Sequence, residues 1–105
     1  MHALDVLGDP VRRRILELLA EGELTSGAVC AVIQGEFGIS QPAVSQHLAT
    51  LRSAGLVSER RDGRLVYYRV EPDGLRPLID WIAHYQAFWL PRLDRLQALL
   101  EEMDE

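Results

Sequence analysis

Residues 39–57 read ISQPAVSQHLATLRSAGLV, and this stretch decides how the rest of the chain is read. Ser40 is a helix N-cap, Pro42 is tolerated in a first helical turn, and Gly55 suits a left-handed C-terminal cap. At 100° per residue Val44, Leu48 and Leu51 form one stripe, with His47 at its edge. Pro42, Ser45, Gln46, Ala49 and Ser53 project from the opposite side. That outer face is small and polar and carries no carboxylate. A helix lying in the major groove of DNA needs such a surface, with short side chains for close approach and amides to pair with base edges. A solvated face that lacks acids by chance is the plainer alternative. On the groove reading the N-terminal part of the helix lies deepest, which singles out Gln41, Ser45 and Gln46, with Ser40 and His47 beside them.

Downstream, Val57–Arg61 and Leu65–Val70 are two β-favouring runs about Asp62–Gly63, a strong hairpin signal. Arg60, Arg61 and Arg64 flank that turn and would gather three guanidiniums near one tip, with Arg52 as a further backbone contact. The plain alternative is a solvated hairpin whose charges guard its edge. Upstream, Asp9–Pro10 reads as an N-cap with proline at the first helical position, followed by Val11, Ile15, Leu18 and Leu19 at helical spacing and Gly22 as the stop. Ala3, Leu4 and Leu7 suggest a short leading helix. Thr25 or Ser26 caps another helix carrying Ala28, Val29, Val32 and Ile33, its end bracketed by Gly35 and Gly38. Arg12, Arg13 and Arg14 crowd a first helical turn, where the dipole disfavours cations, so each calls for a compensating partner.

After a loop at Glu71–Gly74, residues 75–103 read as one long helix interrupted at most by Pro91. Leu75, Ile82, Trp89, Leu96 and Met103 recur every seven residues, with Leu78, Tyr85, Leu93 and Leu100 interleaved, a coiled-coil-like stripe with a kink at Pro91. Ile79, Trp81, Phe88 and Leu99 lie off it. So much apolar surface exceeds what a core of about 75 residues can cover, and a second copy of the chain is the natural partner. Leu75, Ile82, Trp89, Leu93, Leu96 and Leu100 are the expected dimerisation residues.

The expected class is mainly α with a small β-hairpin: a winged helix-turn-helix with a long C-terminal dimerisation helix. It forms a single domain over 1–105, with a core at about 8–71 and the last helix at about 75–103. The 105 residues leave no room for a two-domain, cofactor-bearing enzyme, and the 48% hydrophobic, 26% charged composition is that of an ordinary globular chain. No phosphate-binding glycine loop, zincin motif or nucleophile elbow occurs, so no enzyme and no cofactor are expected. No membrane span is expected, and the single cysteine, Cys30, fits a reducing cytoplasm. The net charge of −5 hides its distribution: residues 1–40 carry −3, residues 41–70 carry +3, and residues 71–105 carry −5. Only the segment with the polar-faced helix and hairpin is basic.

The segment 39–57 closely resembles the recognition helix and following turn of the ArsR family of bacterial winged-helix repressors. So do LGDPVRRRILELL at 7–19 and RRDGRLVYYRV at 60–70. The resemblance implies a homodimeric repressor on double-stranded DNA, at an operator with dyad symmetry. It implies major-groove contacts from Gln41, Ser45 and Gln46 and backbone contacts from the wing tip. Metal-sensing relatives use a Cys-x-Cys pair on the third helix, where this chain has SGAVCAV with Cys30 alone, or paired ligands on the last helix. Asp80 and His84 are four apart there, yet no histidine follows His84 to supply the second pair. One thiolate cannot enclose a soft ion. The third helix also runs slightly long for the family. The C-terminal FWLPRLDRLQALLEE resembles the autorepressor subgroup without metal sites, which leads to a metal-independent repressor whose inducer the sequence does not name. The competing expectations are a metal- or redox-responsive repressor using Asp80 and His84 or Cys30, and a winged helix used only for protein interaction.

Overall fold

The structure is a computed structural model that describes residues 3–104; His2 lies outside them. Its elements run α1 (Ala3–Val6), α2 (Pro10–Ala20), β1 (Leu24–Thr25), α3 (Ser26–Phe37), α4 (Gln41–Ser53), β2 (Val57–Asp62), β3 (Leu65–Val70) and α5 (Pro72–Met103). Two compact units divide the chain after Leu75.

The caps of the first unit follow from local chemistry. The Asp9 carboxylate accepts from the amides of Val11 (2.8 Å) and Arg12 (3.2 Å), the Thr25 hydroxyl from Ala28, and the Ser40 hydroxyl from Ala43. Burial pushes the Asp9 carboxyl up, but the amides of Arg12 and Val11 and the charges of His47 and Arg12 outweigh it, leaving the carboxyl below its usual range. Arg12 Nε and Arg13 Nη1 donate to the carbonyls of Val6 and Leu7 at the end of α1, and Arg14 binds both oxygens of Glu36 and reaches Glu17. The arginine cluster is thus compensated by carbonyls and acids of its own chain.

One face of each helix supplies the core. Val11, Ile15 and Leu19 of α2, Val29 and Ile33 of α3, Val44, Leu48 and Leu51 of α4, and Val6, Leu56 and Val57 are all buried. The spacing read from the sequence for α4 is the spacing that packs.

Three differences from the sequence reading have local causes. First, the sheet has three strands in the order β1-β3-β2, all antiparallel, because Leu24 and Thr25 pair with Tyr68 and Tyr67. A two-residue strand is too short to show alternation. Second, β2 and β3 close on the pair Asp62↔Leu65, so the turn residues are Gly63 and Arg64 rather than Asp62 and Gly63. Gly63 has φ +62° while Arg64 keeps a negative φ, which fits a type II′ turn with glycine first. Arg64 therefore occupies the tip itself. Third, Pro72–Gly74 is no loop but the first turn of α5. Its proline is preset for a helix start, and the Glu71 carbonyl accepts from the amides of Gly74 and Leu75.

Past residue 75 the chain continues as α5, helical through both Pro77 and Pro91. At Pro91, Arg92 Nη1 donates to the Phe88 carbonyl at 2.7 Å and its guanidinium lies 3.5 Å from the Phe88 ring centre. From residue 79 to 104 every described side chain is exposed, the large apolar ones included.

Candidate nucleic-acid interface

Helix α4 turns its apolar stripe to the core and presents Ser40, Gln41, Ser45 and Gln46 to solvent. Its C-terminus is fixed by the Leu56 amide bonding Leu51 O and the Gly55 amide bonding Arg52 O, with Gly55 at φ +76°. At the other end, the short turn from α3 is braced by a hydrogen-bond chain. The Cys30 thiol donates to Gln34 Oε1 at 3.1 Å, and Gln34 Nε2 donates to the Ile39 carbonyl at 3.3 Å. Cys30 thus has a structural part in setting the approach to α4. His47 is half-buried, near enough to Asp9 to help hold that carboxyl low.

A small cleft of about 120 Å³ opens beside the first two turns of α4, lined by Ser26, Gly27, Cys30, Gln41, Ser45 and Tyr68 among others.

The basic residues named from the sequence divide into two groups. Arg61 and Arg64, both exposed, pair with no acid among the described residues. Arg52 binds Glu59 at 2.7 Å, and Arg60 binds Glu23 at 2.6 Å while its guanidinium lies 4.5 Å from the Tyr67 ring centre. The side chain of Arg60 also lies within 3.8 Å of Asp62. Glu23 is held below its usual carboxylate range by its hydrogen bond from Arg60. Glu59 lies 7 residues from Arg52 and Glu23 lies 37 from Arg60, and no local motif announces either pair. Leu75 is partly buried and packs against the core of the first unit. Ile82, Trp89, Leu93, Leu96 and Leu100 are exposed on α5, between 40% and 53%. Asp80 and His84 stand exposed on the same helix, and among the described residues no three metal-binding side chains converge.

The pattern defining bacterial regulatory proteins of the arsR family matches residues 9–59, which hold α2, α3, α4 and the start of the hairpin. The transcriptional repressor SdpR of Bacillus subtilis is 35% identical over 80% of this chain and 89% of its own. The chain belongs to the arsR family. The arsenical resistance operon repressor of Escherichia coli is 33% identical over 93% of this chain and 79% of its own. A solved structure described as a possible transcriptional regulator for arsenical resistance superposes with a TM-score of 0.73 at 44% identity, covering 93% of this chain and 95% of that one. This arsR-family chain is accordingly a DNA-binding transcriptional regulator and not an enzyme. Within the arsR-family frame the described helix pair α3–α4 is the helix-turn-helix and β2–β3 is the wing. No helix among the described residues is long and apolar enough to cross a membrane.

Proposed function

We propose that the protein is a homodimeric repressor that reads a two-fold symmetric operator through α4 of each protomer, acts without a metal, and represses its own gene. The observation that carries this reading is the exposed, carboxylate-free face of α4 with Gln41, Ser45 and Gln46, together with a wing tip bearing Arg61 and Arg64, which pair with no acid among the described residues. Glutamine pairs bidentately with adenine, serine donates or accepts, and arginine at the tip neutralises phosphate. The two recognition helices would enter successive major grooves about 34 Å apart, and the bound dimer would obstruct transcription initiation.

A metalloid-responsive reading is favoured by the relatives named for arsenical resistance. The donor set argues against it. Cys30 is the only thiol of the chain and already donates to Gln34, and Asp80 with His84 is half of a site whose second pair is missing, since no histidine follows His84. Adding arsenite or zinc is therefore expected to leave DNA affinity unchanged; a marked release of DNA by either ion would reverse this choice.

Selection of bound fragments from a random duplex library tests the main reading. An enriched inverted repeat is expected, and a pool without enrichment would remove the base-reading role of α4. On the selected duplex, Gln46→Ala is expected to cost about 1–3 kcal/mol of sequence discrimination. Arg64→Ala is expected to weaken all sequences alike and to flatten the dependence of log affinity on log salt by about 0.9. Fluorescence anisotropy on operator and scrambled duplexes reads both effects; a Gln46 variant that discriminates as well as the parent strikes that residue from the reading set.

A further inference from the structure

Two of the arginines that the sequence reading assigns to the DNA backbone already hold carboxylates of their own chain. Arg52, in the last turn of α4, is held by Glu59 of β2 at 2.7 Å, and Glu59 also accepts from the Tyr68 hydroxyl at 3.2 Å across the strand pair. Arg60, the next residue along β2, is held by both oxygens of Glu23, at 2.6 and 3.4 Å, from the segment leading into β1. Both acids are more enclosed than the arginines they hold, with side chains 26% and 31% exposed against 47% and 53%. The carboxylates are thus the fixed partners, and the guanidiniums reach to them. Arg61 and Arg64 have no such partner among the described residues. The middle segment is the basic third of a chain whose net charge is −5, and its acids are Glu59 and Asp62.

We propose that Glu59 and Glu23 act as an electrostatic brake on backbone binding, a specificity-determining role that rests on the DNA-reading function above. A phosphate competes with the paired carboxylate for the guanidinium of Arg52 or Arg60. The carboxylate then remains close to the DNA backbone, unpaired and repelling it. Binding to arbitrary DNA therefore relies on Arg61 and Arg64, while full engagement of all four arginines requires the additional free energy of base contacts. The sequence-independent share of DNA affinity scales with the number of phosphates neutralised, so withholding two arginines limits that share directly. Ion pairs on a protein surface are weak individually, which makes the brake adjustable and reversible on an operator.

The test is anisotropy with the full chain on scrambled duplex DNA over a range of salt. Glu59→Gln and Glu23→Gln keep shape and hydrogen bonding but remove the charge. Each is expected to raise affinity for scrambled DNA about two- to fivefold, and to steepen the salt dependence by about 0.9 as one more arginine reaches a phosphate. Glu21→Gln, an equal charge change at an exposed acid with no arginine partner among the described residues, is the control and is expected to change neither. In an Arg52→Ala background Glu59→Gln is expected to leave the steepness of the salt dependence unchanged, since no arginine is then released to a phosphate. Unchanged binding by both glutamine variants overturns the brake, as does a gain matched by Glu21→Gln or a steepening of the salt dependence that survives Arg52→Ala. The two pairs are independent, so a poorly folded Glu59 variant leaves Glu23 to decide. If the parent protein itself binds duplex DNA with no salt dependence and no loss on Arg64→Ala, the DNA-reading function falls and the brake with it. If the parent binds as proposed and only the glutamine variants fail, the brake alone falls.

Discussion

Leu96→Glu is expected to separate the protein into single chains and to lower operator affinity by about 10²–10⁴-fold, the advantage that a second tethered binding unit provides. Leu96 is 50% exposed in the protomer, in line with Ile82, Trp89, Leu93 and Leu100, which are 41%, 40%, 51% and 53% exposed. A run of leucine, isoleucine and tryptophan left this open to water is far more apolar surface than a lone soluble chain normally keeps. Trp81 and Tyr85 stack at 5.2 Å between ring centres, and Phe88 meets Trp89 edge-on at the same separation. These rings enlarge the apolar surface that α5 presents. A buried glutamate facing its own copy would carry both a desolvation cost and like-charge repulsion. Each single chain should still fold, since Leu96 is not buried in it, and its helical circular dichroism should persist. Sedimentation velocity and anisotropy check the two halves. Ala98→Glu, which places the same charge on the side of α5 that carries Asp94 and Glu101, is expected to leave both unchanged. A Leu96 variant that stays dimeric with full affinity would show that this stripe is not the interface.

Gly74→Ala is expected to destabilise the first unit by more than the roughly 1–3 kcal/mol of ordinary core overpacking. A methyl group built at Gly74 would stand 1.8 Å from the Gly55 carbonyl oxygen and 2.7 Å from its carbonyl carbon. Both are backbone atoms of the C-terminal cap of α4, where Gly55 holds φ +76° and no flexible side chain can yield. The same approach is fastened by the Glu71 amide donating to the Leu56 carbonyl at 2.9 Å. An alanine there must push the start of α5 away from the end of the recognition helix, so DNA affinity should fall along with stability. Gly35→Ala is the counterpart. It lies within α3 with nothing within 4 Å of the added methyl, and is expected to stabilise by about 0.4–1 kcal/mol. Thermal and urea unfolding of the two variants read opposite signs. Similar small effects at both positions would mean that the α4–α5 approach has slack that the structure does not display.

These positions also mark where the sequence was legible. Asp9–Pro10, Thr25, Ser40 and Gly55 act within four residues of themselves, so their caps could be read directly. The stripe Val44, Leu48 and Leu51 was equally plain, because burial on one face of a helix imposes a 3.6-residue period. The outer face of α4 was then known by elimination. What escaped was set by partners distant in the chain. The Glu59 and Glu23 pairs span 7 and 37 residues, β1 exists only because β3 passes beside it, and Gly74 is glycine because Gly55 is adjacent in space. The turn was misplaced by one residue because an Asp-Gly pair predicts a type I′ loop, whereas a type II′ loop needs glycine only in first position and leaves Asp62 in the ladder. Helix α5 begins at Pro72 for a reason the local sequence did hold, since proline followed by an acidic residue is a helix start as well as a loop.

The most direct test of the account is an anisotropy titration of the protein against its library-selected duplex and a scrambled copy, each at two salt concentrations. The account predicts tight binding to the selected duplex and weaker binding to the scrambled one. Both should weaken as salt rises, the selected duplex more steeply because more arginines engage its backbone, and the selected duplex should stay the tighter of the two because base contacts by α4 do not depend on counterion release. Equal affinity for the two duplexes at both salt concentrations would contradict it.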